Sequence, residues 1–548
     1  MKLTSIGRAL ALAGVLLLPL AAQSTQFTIS FPASAHAQPI TGRVFVILSK
    51  TDTPEPRLQV SDWLTKAYLF GAGVSRLQPG QAAVINGETL GYPASKLAAI
   101  PAGDYYVPGL VNIYTEFPRS DGHTIWAHMD HWGGQQFNRA PENLYSKPVR
   151  VHLDPAQGYR IALSLDQVIP PVAPIPDTAW VKRIKRQSPM LSKFWGHPIY
   201  YGAIVLLPRG YATHPHQYYP VLYQQGHFSL RPPFGFRTTP PPAATGRFGR
   251  FAGRGYDFYK AWNAPNFPRF IVVTFQHPTP YYDDSYAVNS ANNGPYGDAI
   301  MQELIPYIET HYRIIRKPWA RLLQGGSTGG WEALALEAYH PNFFGGTWVG
   351  FPDPVDFRYY QSDNIYTDKN AFFAPTPYLT PAVRAWQRTP DGQVINTMQQ
   401  DSQYEEVLGS HGRSDQQLGI WQAAWGPVGP DGYPVDLWNF KTGVINHQVA
   451  DYMRDHGYDL RYYLQQHWGE IGKDLVGKIH VYVGDMDSYY LNLAVYDLQD
   501  FLDSTKDPAA QASFAYGRPM KGHGWTPVSS EEMIREMAAY IQKHKPTS

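Results

Sequence analysis

The chain has 548 residues, 43% of them hydrophobic and 17% charged, with 46 Lys and Arg against 45 Asp and Glu. That length exceeds one ordinary core and predicts two or three domains, and the composition excludes a disordered chain. A net charge of +1 excludes a strong field for nucleic acid or acidic membranes, and the absence of cysteine excludes disulfides, thiolate metal sites and a cysteine nucleophile.

Lys2 and Arg8 precede the apolar run "ALALAGVLLLPLAA" (Ala9 to Ala22), which is too short for a comfortable membrane span and carries Pro19 near its end. This is a signal-peptide pattern. Cleavage is expected after Ala22 or at the Ala35-His36-Ala37 site, so residues 1–37 read as signal peptide and leader, and the mature chain as exported, periplasmic or secreted. No later segment is long and apolar enough to span a bilayer.

Residues 38–168 carry β patterning. "GRVFVILSK" and "VRVHLD" alternate as strands, and "LAAIPAGDYYVPGLVNIYTEF" reads as a turn and a strand pair; Arg57 to Tyr68 is the one short helical stretch. The expectation is a β-sandwich of immunoglobulin-like type. Pro170, Pro171, Pro174 and Pro176 then make residues 169–180 a stiff linker.

From 181 to 548 the pattern changes to strands alternating with helices. "IYYGAIVLLPRGY", "YPVLYQQG", "RFIVVTFQ", "ARLLQGG", "GGTWVGF" and "KIHVYVGD" read as strands, and "GDAIMQELIPYIETHYR", "GWEALALEAYH" and "SSEEMIREMAAYIQKH" as helices. The predicted class is α/β, with a mainly parallel sheet and helices on both faces. "TTPPPAATGRFGRFAGRG" (Thr238 to Gly255) reads as a solvated loop. The stretch at about 358–475 is too long for an ordinary connection and reads as an insertion, rich in Trp and Tyr, with its own helices.

Chemistry centres on Gly325-Gly326-Ser327-Thr328-Gly329, a G-x-S-x-G sequence between a strand and a helix. A sharp turn there needs small neighbours, lifts the serine hydroxyl above the sheet, and sets it at a positive helix end whose N–H groups can hold an oxyanion. A phosphate-binding loop would need Lys where Trp331 stands, and a dinucleotide turn would need a glycine spacing that Ser327 breaks. A purely structural turn remains the alternative.

A serine nucleophile needs a base and an orienting acid, in the order Ser, Asp, His on this type of sheet. Asp487 follows the strand "KIHVYVGD" and is the candidate acid, with Asp485 as its alternative; the two could instead bind a cation. His523, in a Gly-His-Gly loop before the last helix, is the candidate base. His214 and His216 fit a surface turn better than a metal site, and His340 fits a helix C-terminal cap. The backbone N–H groups of Thr328 and His227 are the candidate oxyanion donors. Trp331 and Trp525 are candidate substrate-lining residues. Trp386, Trp421 and Trp425 of the insertion either line an acyl pocket or fill the insertion's own core.

"LPRGYATHPHQYYPVLYQQGH", "NNGPYGDAIMQELIPYIETHYR" and "GGSTGGWEALALEAYHPNFFGG" resemble the Putative esterase family of α/β-hydrolases, which includes esterase D, feruloyl esterases, enterochelin esterases and mycolyltransferases. The resemblance covers Ile199 to Phe351 and resumes at "VYVGDMD" and "GHGW"; it omits the β-rich part and the insertion. It implies an α/β-hydrolase fold, an acyl-enzyme, Ser327 as nucleophile, Asp487 as acid, His523 as base and the backbone of His227 and Thr328 as oxyanion hole. One departure is Gln225-Gly226-His227, where many members carry His-Gly.

The expected function is thus an exported serine carboxylic-ester hydrolase without metal or organic cofactor, acting on a small-molecule or polysaccharide-linked ester. Partners do not include nucleic acid. Acyl transfer or peptide cleavage on the same fold is the alternative enzyme reading, and a non-catalytic carbohydrate- or surface-binding protein is the alternative of another class. The sequence does not specify the acyl group, the alcohol or the oligomeric state.

Overall fold

The computed structural model of the chain describes residues 25–60, 65–241 and 247–546. The signal-peptide pattern lies outside the described residues. Residues 25–37, read as part of a leader, are folded: Gln26–Ser30 is a strand whose alternate residues Phe27 and Ile29 are fully buried. It pairs in parallel with Arg160–Ser164 and antiparallel with Ala83–Asn86. Ile40–Ser49 lies in a second, larger sheet, between Ala67–Leu77 and Gly109–Ile113. Phe27, Ile29, Ile85 and Leu163 of the first sheet share one core with Val44, Val46 and Leu48 of the second.

The Ile40–Ser49 strand is buried on both faces, which explains its nearly unbroken apolar sequence. Val44, Val46 and Leu48 point to the core just described, whereas Phe45 and Ile47 meet Tyr404, Val407 and Leu408 from a helix of the insertion. Of the short helix expected over Arg57 to Tyr68, residues 61–64 lie outside the described residues; Pro56–Gln59 forms one tight turn, and Tyr68 lies in the strand Ala67–Leu77. Pairing of that strand with Ile40–Ser49 overrides the local pattern. Residues 170–178 are extended and exposed, without regular structure.

Eight strands form the second half of the molecule: β1 (Val181–Gln187), β2 (Tyr200–Leu206), β3 (Val221–Gln225), β4 (Ile271–Gln276), β5 (Arg321–Gly326), β6 (Gly346–Gly350), β7 (Ile479–Gly484) and β8 (Ser513–Gly517). Their order is β1-β2-β4-β3-β5-β6-β7-β8. The first two run antiparallel to their neighbours, and all pairs from β4 to β8 are parallel. Both faces are covered, as a parallel sheet requires. On one face lie α1 (Arg247–Trp262), through Phe258 and Trp262, and the last helix, Ser530–His544, through Met533, Ile534, Met537 and Ile541. On the other, α2 (Thr328–Tyr339) is buried on all sides between β5, β6 and the helix Leu460–Leu475.

This is an α/β-hydrolase-like fold. Two readings of the sequence change. The segment Thr238 to Gly255, read as a loop, enters α1 at Arg247 despite its glycines, because Phe258 and Trp262 anchor that helix on the sheet. Gly255 is required there: a Cβ would stand 1.9 Å from the carbonyl oxygen of Gly235. The helical stretch "INHQVADYMRDHGYDLRYYLQQHW" is two helices, His447–Asp455 and Leu460–Leu475, and the second is the ordinary crossover that packs on α2 rather than part of an appended lobe.

Within the insertion, α3 (Met398–Leu408) starts in a full capping box made by Thr397 and Gln400. Its contact with the β-rich unit is polar as well as apolar. Arg43 donates from Nε to the carbonyl of Val407 at 2.6 Å and from Nη2 to that of Glu406 at 2.7 Å, and Gln403 Nε2 donates to the carbonyl of Gly91 at 2.6 Å. No helix among the described residues is long and apolar enough to cross a membrane. Replacing Arg43 by Met strands two carbonyls at this contact and is expected to cost about 1–3 kcal/mol of stability, read as a lower urea midpoint at unchanged slope.

Candidate active site

The geometry starts from the turn between β5 and α2. Ser327 has φ 58° and ψ −126°, a backbone conformation rare for a residue with a side chain, and its N–H is tied to the carbonyl of Gly350 at 3.0 Å. The neighbours have no room for side chains. A Cβ on Gly325 would stand 2.0 Å from the Gly329 oxygen, and one on Gly329 would stand 2.3 Å from the Gln225 oxygen. The turn therefore presses against the end of β3. The N–H groups of Gly330 and Trp331 already close onto the Ser327 carbonyl at 2.8 and 3.2 Å, whereas Thr328, the first helical residue, has no intrahelical acceptor for its N–H.

Asp487 and His523 come from the ends of β7 and β8. Asp487 is wholly buried; Oδ1 accepts from the N–H groups of Tyr489 (2.9 Å) and Leu491 (3.4 Å), and Oδ2 lies 2.9 Å from His523 Nδ1. Asp485, the alternative acid, instead accepts the Lys521 N–H at 3.0 Å, and Met486 N–H reaches the Lys521 carbonyl. It fastens the histidine loop while its neighbour holds the imidazole. The His523 ring sits edge-on to Phe351 and Tyr489, with centroids 4.8 and 4.9 Å away. Burial works to lower its pKa, but the Asp487 carboxylate, with Asp353 beyond it, outweighs that and raises it above the ordinary 6.5.

Ser327, His523 and His227 line one cavity of ≈ 190 Å³. Its far wall comes from the insertion and includes Trp386, Trp421, Asp401, Tyr404, Glu405 and Gln417. Of the three insertion tryptophans, Trp386 and Trp421 reach the cavity, whereas Trp425 is fully buried and stacks behind Trp421 at 5.7 Å. Trp331 and Trp525 do not line it. Trp331 is 0% exposed, wedged between Tyr286 and Trp425, because α2 is buried on every side. Trp525 packs over Gly517 on the opposite face of the sheet. His214 and His216 are exposed in a turn before β3, and His340 is the C-cap of α2.

Two features were missed at the level of sequence. The first is Asp353, in the loop after β6, which is 2% exposed. Its Oδ1 accepts from Ser327 Oγ at 3.3 Å; its Oδ2 accepts from Tyr286 Oη (2.5 Å), Thr328 Oγ1 (2.9 Å), Gln417 Nε2 (3.0 Å) and Trp421 Nε1 (3.3 Å). Burial raises its pKa, only partly offset by the donors Tyr286, Thr328 and Trp421 and by the facing His227. The signal for it was a carboxylate just past the end of the strand beside β5, in "GFPDP". The second is the side chain of His227, whose Nδ1 lies 2.5 Å from Oδ2 of the fully buried Asp284. Its partner lies 57 residues away, and no local spacing joins them.

Residues 200–430 match the family described as Putative esterase. No curated protein matches the chain. Among solved structures, a ferulic acid esterase is similar at 14% identity and a TM-score of 0.38, covering 66% of this chain and 98% of that one. The S-formylglutathione hydrolase FrmB from Staphylococcus aureus is similar at 11% identity and a TM-score of 0.33, covering 66% and 98%. That from Agrobacterium tumefaciens stands at 11% and 0.31, covering 67% and 95%. The segment 200–430, somewhat less than half of the chain, thus carries the pattern of the Putative esterase family.

Proposed function

We propose that this esterase hydrolyses carboxylic esters through an acyl-enzyme on Ser327, with His523 as general base and Asp487 as the orienting acid. The observation that carries the reading is the 2.9 Å contact of His523 Nδ1 with buried Asp487, on a ring that shares its cavity with Ser327. Binding of substrate turns the Ser327 hydroxyl from Asp353 Oδ1 towards His523 Nε2. Ser327 Oγ then attacks the carbonyl carbon as its proton passes to His523. The carbonyl oxygen becomes an oxyanion facing the backbone N–H groups of Thr328 and His227. Collapse breaks the bond to the alcohol oxygen, which takes the proton from His523. Water repeats the sequence on the acyl-enzyme, releasing the acid and returning the proton to Ser327. Asp487 holds Nδ1–H throughout and stabilises the imidazolium.

The domain reading that accompanies this starts the β-sandwich of immunoglobulin-like type at Gln26 rather than 38 and runs it to 168, followed by the linker 169–180 and a hydrolase domain from 181, with the insertion, expected over about 358–475 but ending before the crossover helix Leu460–Leu475, as the wall of the acyl pocket. The shared core of the two N-terminal sheets supports the sandwich. Export is part of the proposal, with cleavage after Ala22: a cut after Ala37 removes the strand Gln26–Ser30 and with it Phe27 and Ile29 from the core.

A fluorophosphonate probe should label the native protein and leave Ser327→Ala unlabelled; equal labelling of both would remove Ser327 as nucleophile. The base must be neutral to act, so kcat/KM should fall as pH drops through a pKa above 6.5. Asp487→Asn removes the group that raises this pKa. Its acid limb should move to lower pH and kcat should drop by up to about 10⁴, measured on a p-nitrophenyl ester.

A further inference from the structure

Asp487–His523 is one of two carboxylate–imidazole pairs on the cavity. In the other, His227 Nδ1 meets Asp284 Oδ2 at 2.5 Å, and Nε2 is 3.4 Å from Thr328 Oγ1, one residue past the nucleophile. That second contact is long for a hydrogen bond. Thr328 Oγ1 donates to Asp353 and also faces Gln417 Nε2 as an acceptor at 3.3 Å, so Nε2–H has at most a weak, shared partner and an open cavity before it. The mechanism above uses only the backbone of His227 and leaves this side chain without a task.

Charge supplies the task. Ser327 Oγ stands 3.3 Å from a buried carboxylate, and Asp401 and Glu405 stand in the same wall. An oxyanion forming here is opposed by that negative field, which is poorly screened in a site shielded from water. Among the described residues lining the cavity there is no Lys or Arg. His523 has to be neutral when attack begins. Among the described residues lining the cavity, His227 is therefore the one that can bring positive charge to the ground state.

We propose that the His227 side chain is a catalytic residue: held through Nδ1 by Asp284, it directs a cationic Nε2–H at the acyl oxygen, beside the backbone N–H of Thr328. This rests on the serine-esterase mechanism of the preceding section. The surroundings keep the ring charged. Burial opposes the charge, but Asp284, with Asp283 and Asp353 also facing the ring, outweighs it and raises the pKa to about 9. Tyr282 meets the ring edge-on at 5.2 Å. His277, the other nearby imidazole, is driven by burial to about 4 and stays neutral.

The test is the pH dependence of kcat and KM on a p-nitrophenyl ester for native protein, His227→Gln and Asp284→Asn, with fluorophosphonate labelling alongside. The native enzyme should lose activity as pH rises through about 9, where His227 gives up its proton. His227→Gln should lose about 10²–10³ in kcat with little change in KM, and should lack this alkaline limb. Asp284→Asn, which keeps the imidazole but removes its carboxylate, should move the limb towards the ordinary value of about 6.5. Native alkaline limbs in both variants, or a His227→Gln effect confined to KM, would overturn the proposal. Should one variant fail to fold, the other still decides. Equal probe labelling of Ser327→Ala would instead overturn the parent mechanism, so the two failures are separable.

Discussion

Crowding at one backbone turn governs the rest of the site. Gly325, Gly329 and the carbonyl of Gln225 approach so closely that no Cβ fits between them. This closeness holds Ser327 at positive φ and brings the end of β3, with Gly226 and His227, against the start of α2. The proposed chemistry follows from it, since the same contact sets Ser327 beside the helix N–H groups and the β3 loop at once. A longer or looser turn would leave the serine on a helix end without its second wall.

The second constraint is electrostatic. Buried carboxylates are costly unless hydrogen-bonded, and two on the cavity, Asp353 and Glu405, are provided for. Asp353 receives donors from Ser327, Thr328, Tyr286, Gln417 and Trp421. Glu405 accepts from Ser414 Oγ and from the N–H groups of Leu418 and Gly419, which open the helix Gln417–Trp425, so its charge is placed at a positive helix end. Those networks tie the insertion to the Ser327 turn. They also make the cavity negative, which is why the charge proposed for His227 has a consequence for rate.

The N-terminal β unit reaches the chemistry through α3. One face of that helix packs on Phe45 and Ile47 of the β unit through Tyr404, Val407 and Leu408, and it also carries Asp401 and Glu405 to the cavity. Arg43 and Gln403 fix its position. Tyr404 belongs to both contacts, so the β unit braces the wall opposite Ser327 from behind.

Local pattern was enough to expect alternating strands and helices, the G-x-S-x-G turn, and the later Asp487 and His523, because each depends on residues near one another in the chain. The family resemblance drew on the same residues. Local pattern misled at Thr238 to Gly255, where burial of Phe258 and Trp262 makes a helix from a glycine-rich stretch, and at Gln26–Ser30, where pairing with Arg160–Ser164 turns an apparent leader into a core strand. It also misplaced Trp331 and Trp525, since nearness in sequence to Ser327 and His523 does not say which way a ring points. Asp353 left only the faint signal of a carboxylate past a strand end, and the Asp284–His227 pair could come only from the folded chain. Their partners sit at the ends of different strands, and only the order of those strands in the sheet, with an insertion folded over it, makes neighbours of them.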